Sequence, residues 1–140
     1  MTKRNIFIVI SSSLLVVFGV YCYLKITKKA TINMKVATTS YNVQTDDLIA
    51  NFIADEKSTH KKFTGKIIEI EGKIKEVSFL NNTNTIILFG NKNSGIICDF
   101  GQNQTKEIKA LTKNQTVTIK GIYKGFLKDV ILLNCLLINN

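Results

Sequence analysis

The sequence predicts a small, mainly β domain built as a closed five-stranded barrel. A helix precedes the barrel, a short helix joins its third and fourth strands, and a transmembrane helix lies near the N-terminus. Three observations carry this reading. Residues Lys66–Ser78 alternate apolar and polar side chains over an unusual length, with a glycine in the middle. Four further runs with strand patterning follow, separated by Asn- and Gly-rich turns. The chain contains no proline, and a closed sheet needs every backbone N–H.

Taken in order, Ile6–Leu24 is nineteen residues without a charge. A helix of that length rises roughly 28 Å, enough to cross a bilayer core. Tyr21 and Tyr23 stand where interfacial aromatics belong, and Lys25, Lys28 and Lys29 end the run. No small-x-small cleavage site follows the run, so an uncleaved anchor over 1–29 is expected rather than a removed signal peptide. Lipidation at Cys22 wants a small residue before it, and Tyr21 stands there. Residues 30–44 are polar, β-branched and aperiodic, and read as a tether to a domain spanning 45–140.

Thr45 followed by Asp46-Asp47 is a helix start: a capping oxygen, then acids at the positive end of the dipole. Leu48, Ile49, Phe52 and Ile53 form one apolar stripe, and the helix is expected to run to about His60-Lys61-Lys62. In the first strand Ile68, Ile70, Gly72 and Ile74 share a face, opposite Glu69, Glu71, Lys73 and Lys75. Val77 is out of step with that face, which predicts a bulge near Lys75-Glu76. Gly72 predicts a bend or a close backbone approach. Its echo at Gly121 suggests two strands bending side by side. The second strand is expected over Thr85–Gly90 and the third over Ile96–Phe100. A short helix follows over Thr105–Leu111, then a fourth strand through Val117–Gly121. The last strand, Val130–Ile138, is nearly all apolar and is expected to be covered on both faces. Five strands with a helix between the third and fourth is the order of the OB-fold.

Charge narrows the partners. Six of the nine excess positive charges fall within residues 1–35, flanking the apolar run, which points to anionic headgroups. One arginine against eighteen lysines argues against bidentate reading of bases. His60 is the sole histidine, and one histidine makes no metal site; a helix-end role beside the dipole is expected. There is no nucleophile elbow, phosphate-binding loop or CxxC, so no catalytic residue, metal or cofactor is assigned.

Residues from about Asp46 to Ile138 resemble the tRNA_anti-like OB-fold family of small, membrane-anchored or lipoprotein-type bacterial envelope proteins. The matching pieces are Asp47-Leu48, Phe52 with Asp55-Glu56, Lys62-Phe63, Lys66-Ile-Ile-Glu-Ile-Glu-Gly72, Ile97-Cys98-Asp-Phe100, Val117-Thr-Ile-Lys-Gly121, and Gly125-Phe-Leu-Lys-Asp-Val130 running into Asn134-Cys135. The chain departs from the family pattern at His60 and at Tyr123. The resemblance implies a single-pass membrane protein whose domain faces outward, into the periplasm; with no catalytic motif present, a non-enzymatic binding module for an unknown envelope protein or saccharide is expected. The flanking charges on the two sides of the apolar run are nearly balanced, so orientation rests on the resemblance. The other reading is a nucleic-acid-binding domain at the cytoplasmic membrane face.

Within such a barrel the third and fifth strands are neighbours, which makes Cys98 and Cys135 a candidate disulfide in an oxidising compartment. Two buried thiols acting as small hydrophobes is the plainer reading. OB-folds bind ligands on the second and third strands and at the loops joining strands one–two and four–five. That yields a candidate ligand face of Phe79, Asn82, Asp99, Lys124, Phe126 and Lys128. The plainer reading has Phe79 and Phe126 closing the barrel ends.

Overall fold

The computed structural model describes residues 13–21, 32–91 and 93–139. The chain forms two compact units, Met1–Ile32 and Asn33–Asn140. In the first, residues 13–21 form a helix, α1, with exposed side chains. Most of the predicted span Ile6–Leu24 lies outside the described residues, as does Cys22. Among the described residues no helix is long and apolar enough to cross a membrane.

The second unit runs β1 (Tyr41–Gln44), α2 (Thr45–Ala54), α3 (Glu56–Phe63), β2 (Ile67–Leu80), β3 (Thr83–Leu88), β4 (Ile96–Asp99), α4 (Thr105–Lys109), β5 (Thr116–Phe126) and β6 (Val130–Asn139). Hydrogen bonding follows the circuit β2–β3–β4–β6–β5 and returns to β2, which closes a five-stranded barrel. Four pairings in the circuit are antiparallel; β4 and β6 run parallel and seal it.

The long strand β2 serves two neighbours on one edge. Its first half pairs with β5 and, on its other edge, with β1; its second half pairs with β3. The register against β3 shifts between Ile74 and Glu76, at the bulge the alternation predicts. Gly72 is a close approach: a Cβ there would sit 2.2 Å from Thr45 Oγ1. It faces Val117, whereas Gly121 faces Ile68, so the two glycines lie at opposite ends of the β2–β5 ladder and do not bend side by side.

Several expectations are corrected. Residues within the expected tether join the barrel unit: Tyr41–Gln44 form a parallel edge strand, Met34 is buried, and Lys120 Nζ donates to the Ala37 carbonyl. Val43 and Tyr41 supply apolar contacts that a polar spacer would not. Thr45 is not the cap; its hydroxyl donates to the Glu71 carbonyl (2.8 Å), because Gly72 leaves room for the helix to dock on β2. The expected single helix breaks at Asp55, whose carboxylate accepts from the Ser58 N–H (3.0 Å) and starts α3 afresh. Strand β3 begins at Thr83, two residues early, since Asn81 and Asn82 both take positive φ and turn the chain within two residues. The last strand is not covered on both faces: Val130 and Leu132 are buried, while Ile131 and Leu133 on the outer side are only half-buried.

The core lies inside the barrel and beneath α2 and α3. Phe52 stacks on Phe126 (centroids 4.8 Å) and Tyr123 (5.4 Å), and Phe63 meets Tyr41 edge-on at 5.0 Å. These rings plug one end of the barrel; Ile108 of α4 and Leu111 contribute to the same core.

Candidate functional site

The turn between β2 and β3 leaves an aromatic ring in solvent. Phe79 precedes Leu80 and the two left-handed asparagines, and it is 45% exposed. Beside it lies a groove of about 410 Å³, lined by Phe79, Asn82 and Thr83 from the hairpin and by Asn84, Gln102, Thr105 and Lys109. Lys109, at the end of α4, holds its Nζ 5.8 Å from the Phe79 ring centroid. Among the described residues no carboxylate lines the groove.

The groove wall is braced from below. Asn84 is buried on β3, and its amide donates to Thr105 Oγ1 (2.7 Å) and to the Asn103 carbonyl (3.3 Å). Thr105 Oγ1 donates in turn to the Gln102 carbonyl (3.0 Å). Gln104, at φ 57°, clamps the Leu137 backbone with both ends of its amide (2.9 and 3.4 Å). These bonds fix α4 against β3 and β6, so Lys109 and Phe79 are held by rigid elements. Asn82, Gln102 and the Phe79 ring remain exposed for a ligand.

The six residues of the predicted ligand face do not form one surface. Phe79 and Asn82 belong to the groove. Asp99, paired with Thr85, spends one carboxylate oxygen on the Gly101 N–H (2.8 Å). Lys124, Phe126 and Lys128 lie at the other end of the β3–β4 ladder, where Val130 pairs with Ile96. Lys124 and Lys128 are exposed, whereas Phe126 is half-buried against Phe52. Phe126 thus closes a barrel end, and Phe79 does not. A second groove of about 440 Å³ at that end is lined by Glu56, Lys57, His60 and Phe126.

Sequence reasoning missed Lys109, Gln102 and Thr105. Their only signal is helical character over 105–111; that α4 docks beside the hairpin is a long-range fact. His60 lies in the last turn of α3, and its Nδ1 is 3.0 Å from the Tyr123 hydroxyl. The two departures from the family pattern therefore touch. Burial, and secondarily the negative charge of Glu56, pushes the Tyr123 phenol up to about 12. Cys98 and Cys135 are both free and buried, on adjacent parallel strands. Among the described residues no three His, Cys, Asp or Glu side chains gather where they could hold a metal ion.

Comparison with known proteins agrees with this architecture. The tRNA_anti-like sequence profile matches residues 1–137. A lipoprotein of Klebsiella pneumoniae subsp. pneumoniae, provisionally assigned as nucleic acid-binding, superposes with a TM-score of 0.56 at 15% identity, covering 69% of this chain and 92% of its own. An OBody bound to hen egg-white lysozyme aligns over 56% of this chain and 85% of its own, at 14% identity and a TM-score of 0.45. The S. pombe Stn1-ten1 complex aligns over 53% of this chain and 59% of its own, at 15% identity and 0.43. No curated protein matches the sequence significantly.

Proposed function

This chain belongs to the tRNA_anti-like family, and we propose that it is a non-enzymatic OB-fold binding module held at the bacterial envelope membrane by Ile6–Leu24. In this reading the domain faces outward and takes an envelope saccharide in the Phe79 groove. The observation that carries it is the groove itself: an exposed aromatic ring with amide side chains and a lysine around it, on a braced wall. An aromatic face with neighbouring amides suits a sugar ring, and OB-folds bind oligosaccharides at such loops. The apolar run and its lysine flanks support the anchor.

A second reading is favoured by Lys109 beside Phe79: a single-stranded nucleic acid stacking a base on the ring and placing a phosphate at the ammonium. In that case the domain lies on the cytoplasmic face. Titration with N-acetylglucosamine oligosaccharides and with oligothymidine separates the two. Saccharide binding that falls about tenfold in Phe79→Ala, worth roughly 1.4 kcal/mol, and is insensitive to salt supports the first reading. Oligothymidine binding that collapses as salt rises favours the second. A topology reporter fused after Asn140 gives the face of the membrane independently.

A further inference from the structure

Cys98 lies on β4 and Cys135 on β6, parallel strands whose ladder ends at the pair Cys98–Leu132. Strict alternation beyond Leu132 turns residue 134 inward and residue 135 outward. The reverse is found. Asn134 takes φ 52° and is exposed, and the register against β5 slips so that Asn134 and Cys135 together oppose Gly121. This bulge swings Cys135 into the barrel.

A glycine makes room for it there. A Cβ on residue 121 would sit 2.7 Å from Cys135 Sγ, so any larger residue at that position would collide with the thiol. Cys135 is 4% exposed and Cys98 is fully buried, both within the one apolar core. A small apolar filler needs neither a left-handed asparagine nor a missing side chain on the neighbouring strand. Both features turn the Cys135 sulfur inward and back toward Leu132, the residue paired with Cys98.

We propose that Cys98 and Cys135 are a disulfide-forming pair that ties the third barrel strand to the last. Its occurrence in the cell rests on the outward placement proposed above; its chemistry does not. In the closed barrel neither sulfur is reachable, and burial together with the Cys98 thiol keeps Cys135 protonated. The bond therefore forms on the folding chain. The thiolate of one cysteine attacks a sulfur of a small disulfide such as oxidised glutathione, giving a mixed disulfide and one glutathione thiolate. The second cysteine, as thiolate, attacks the protein sulfur of that intermediate and expels a second glutathione. The two cysteines lose two electrons, and the oxidised glutathione gains them.

The test uses the full-length Cys22→Ser chain in detergent, unfolded, reduced and then refolded with reduced and oxidised glutathione. Thiols are trapped with a maleimide and mapped by mass spectrometry. A Cys98–Cys135 linked peptide with no trapped thiol is expected, and native reduced protein given the same oxidant keeps both thiols. Two trapped thiols after refolding, or glutathione left on either cysteine, would overturn the pairing. The same mapping on protein taken directly from cells separates the two ideas. Reduced cysteines there, with a bond on refolding, leave the pairing standing and sink the outward placement.

Discussion

Tyr123 meets His60 across the α3–β5 contact, and the burial of its phenol has a consequence at high pH. The unfolded chain sheds the Tyr123 proton near the ordinary value of 10.0, whereas the folded chain holds it up to about 12. The folded-state value is raised, so its contribution to stability is complete below pH 10 and is lost between 10 and 12. Urea midpoints should fall over that interval, and fall less steeply in Tyr123→Phe, which has no phenol to ionise. Equal slopes in the two proteins would contradict this assignment. Gly72 makes a second local case. An added methyl would strike Thr45 Oγ1 at 2.2 Å and displace the hydroxyl from the Glu71 carbonyl. Gly72→Ala should cost about 1–3 kcal/mol. The cost should shrink by more than half in a Thr45→Ala background, and a double-mutant cycle in urea checks this coupling.

The helical elements owe their form to capping. The stretch from Thr45 to Phe63 is two helices because Asp55 leaves helical geometry (φ −151°, ψ 89°) and presents its carboxylate to Ser58. Thr59 Oγ1 then returns to the Asn51 carbonyl and pins the second helix to the first (3.0 Å). This kink turns both Phe52 and Phe63 toward Tyr123. Asp55→Ala should lower stability by about 1 kcal/mol, read from chemical denaturation, with the barrel strands intact by circular dichroism. At the other barrel end, Gln104 supplies through one side chain the donor and acceptor that a neighbouring strand would give Leu137. The groove wall therefore depends on an irregular residue between two strands, as binding surfaces on small barrels often do.

Barrel closure makes the second unit self-sufficient. Every barrel strand has a neighbour on each edge over part of its length, and β1 adds to the edge of β2 beside Ile68–Glu71. Lys120 is 7% exposed; its amine, held by the Ala37 carbonyl, fastens the segment leading into β1. Removing residues 1–32 should leave the thermal midpoint of the domain unchanged. Removing 1–44 should lower it by several degrees, because Met34 is buried and Tyr41 and Val43 pack on the core. Equal midpoints for the two truncations would show that residues 33–44 add nothing to stability.

The residues themselves carried the barrel: period-two alternation in Lys66–Ser78, the slip before Val77 and the absence of proline translate directly into β2, its bulge and a closed sheet. Local chemistry sets these features, so they survive without knowledge of neighbours. The helix start near Thr45 was legible, but the job of Thr45 was not, because the acceptor it finds on Glu71 is 26 residues away. Likewise Phe79 and Asn82 were recognisable as loop residues, while their partner Lys109 came from a helix on another part of the chain. Phe79 and Phe126 read alike along the sequence; one ring has Phe52 against it and the other has solvent. Alternation and turn chemistry are properties of neighbours along the chain, and they were enough for the five-stranded barrel, though not for the edge strand Tyr41–Gln44. Which aromatic stays open, which amide is consumed in bracing and which thiol turns inward depend on neighbours in space, and those were settled when the sheet closed.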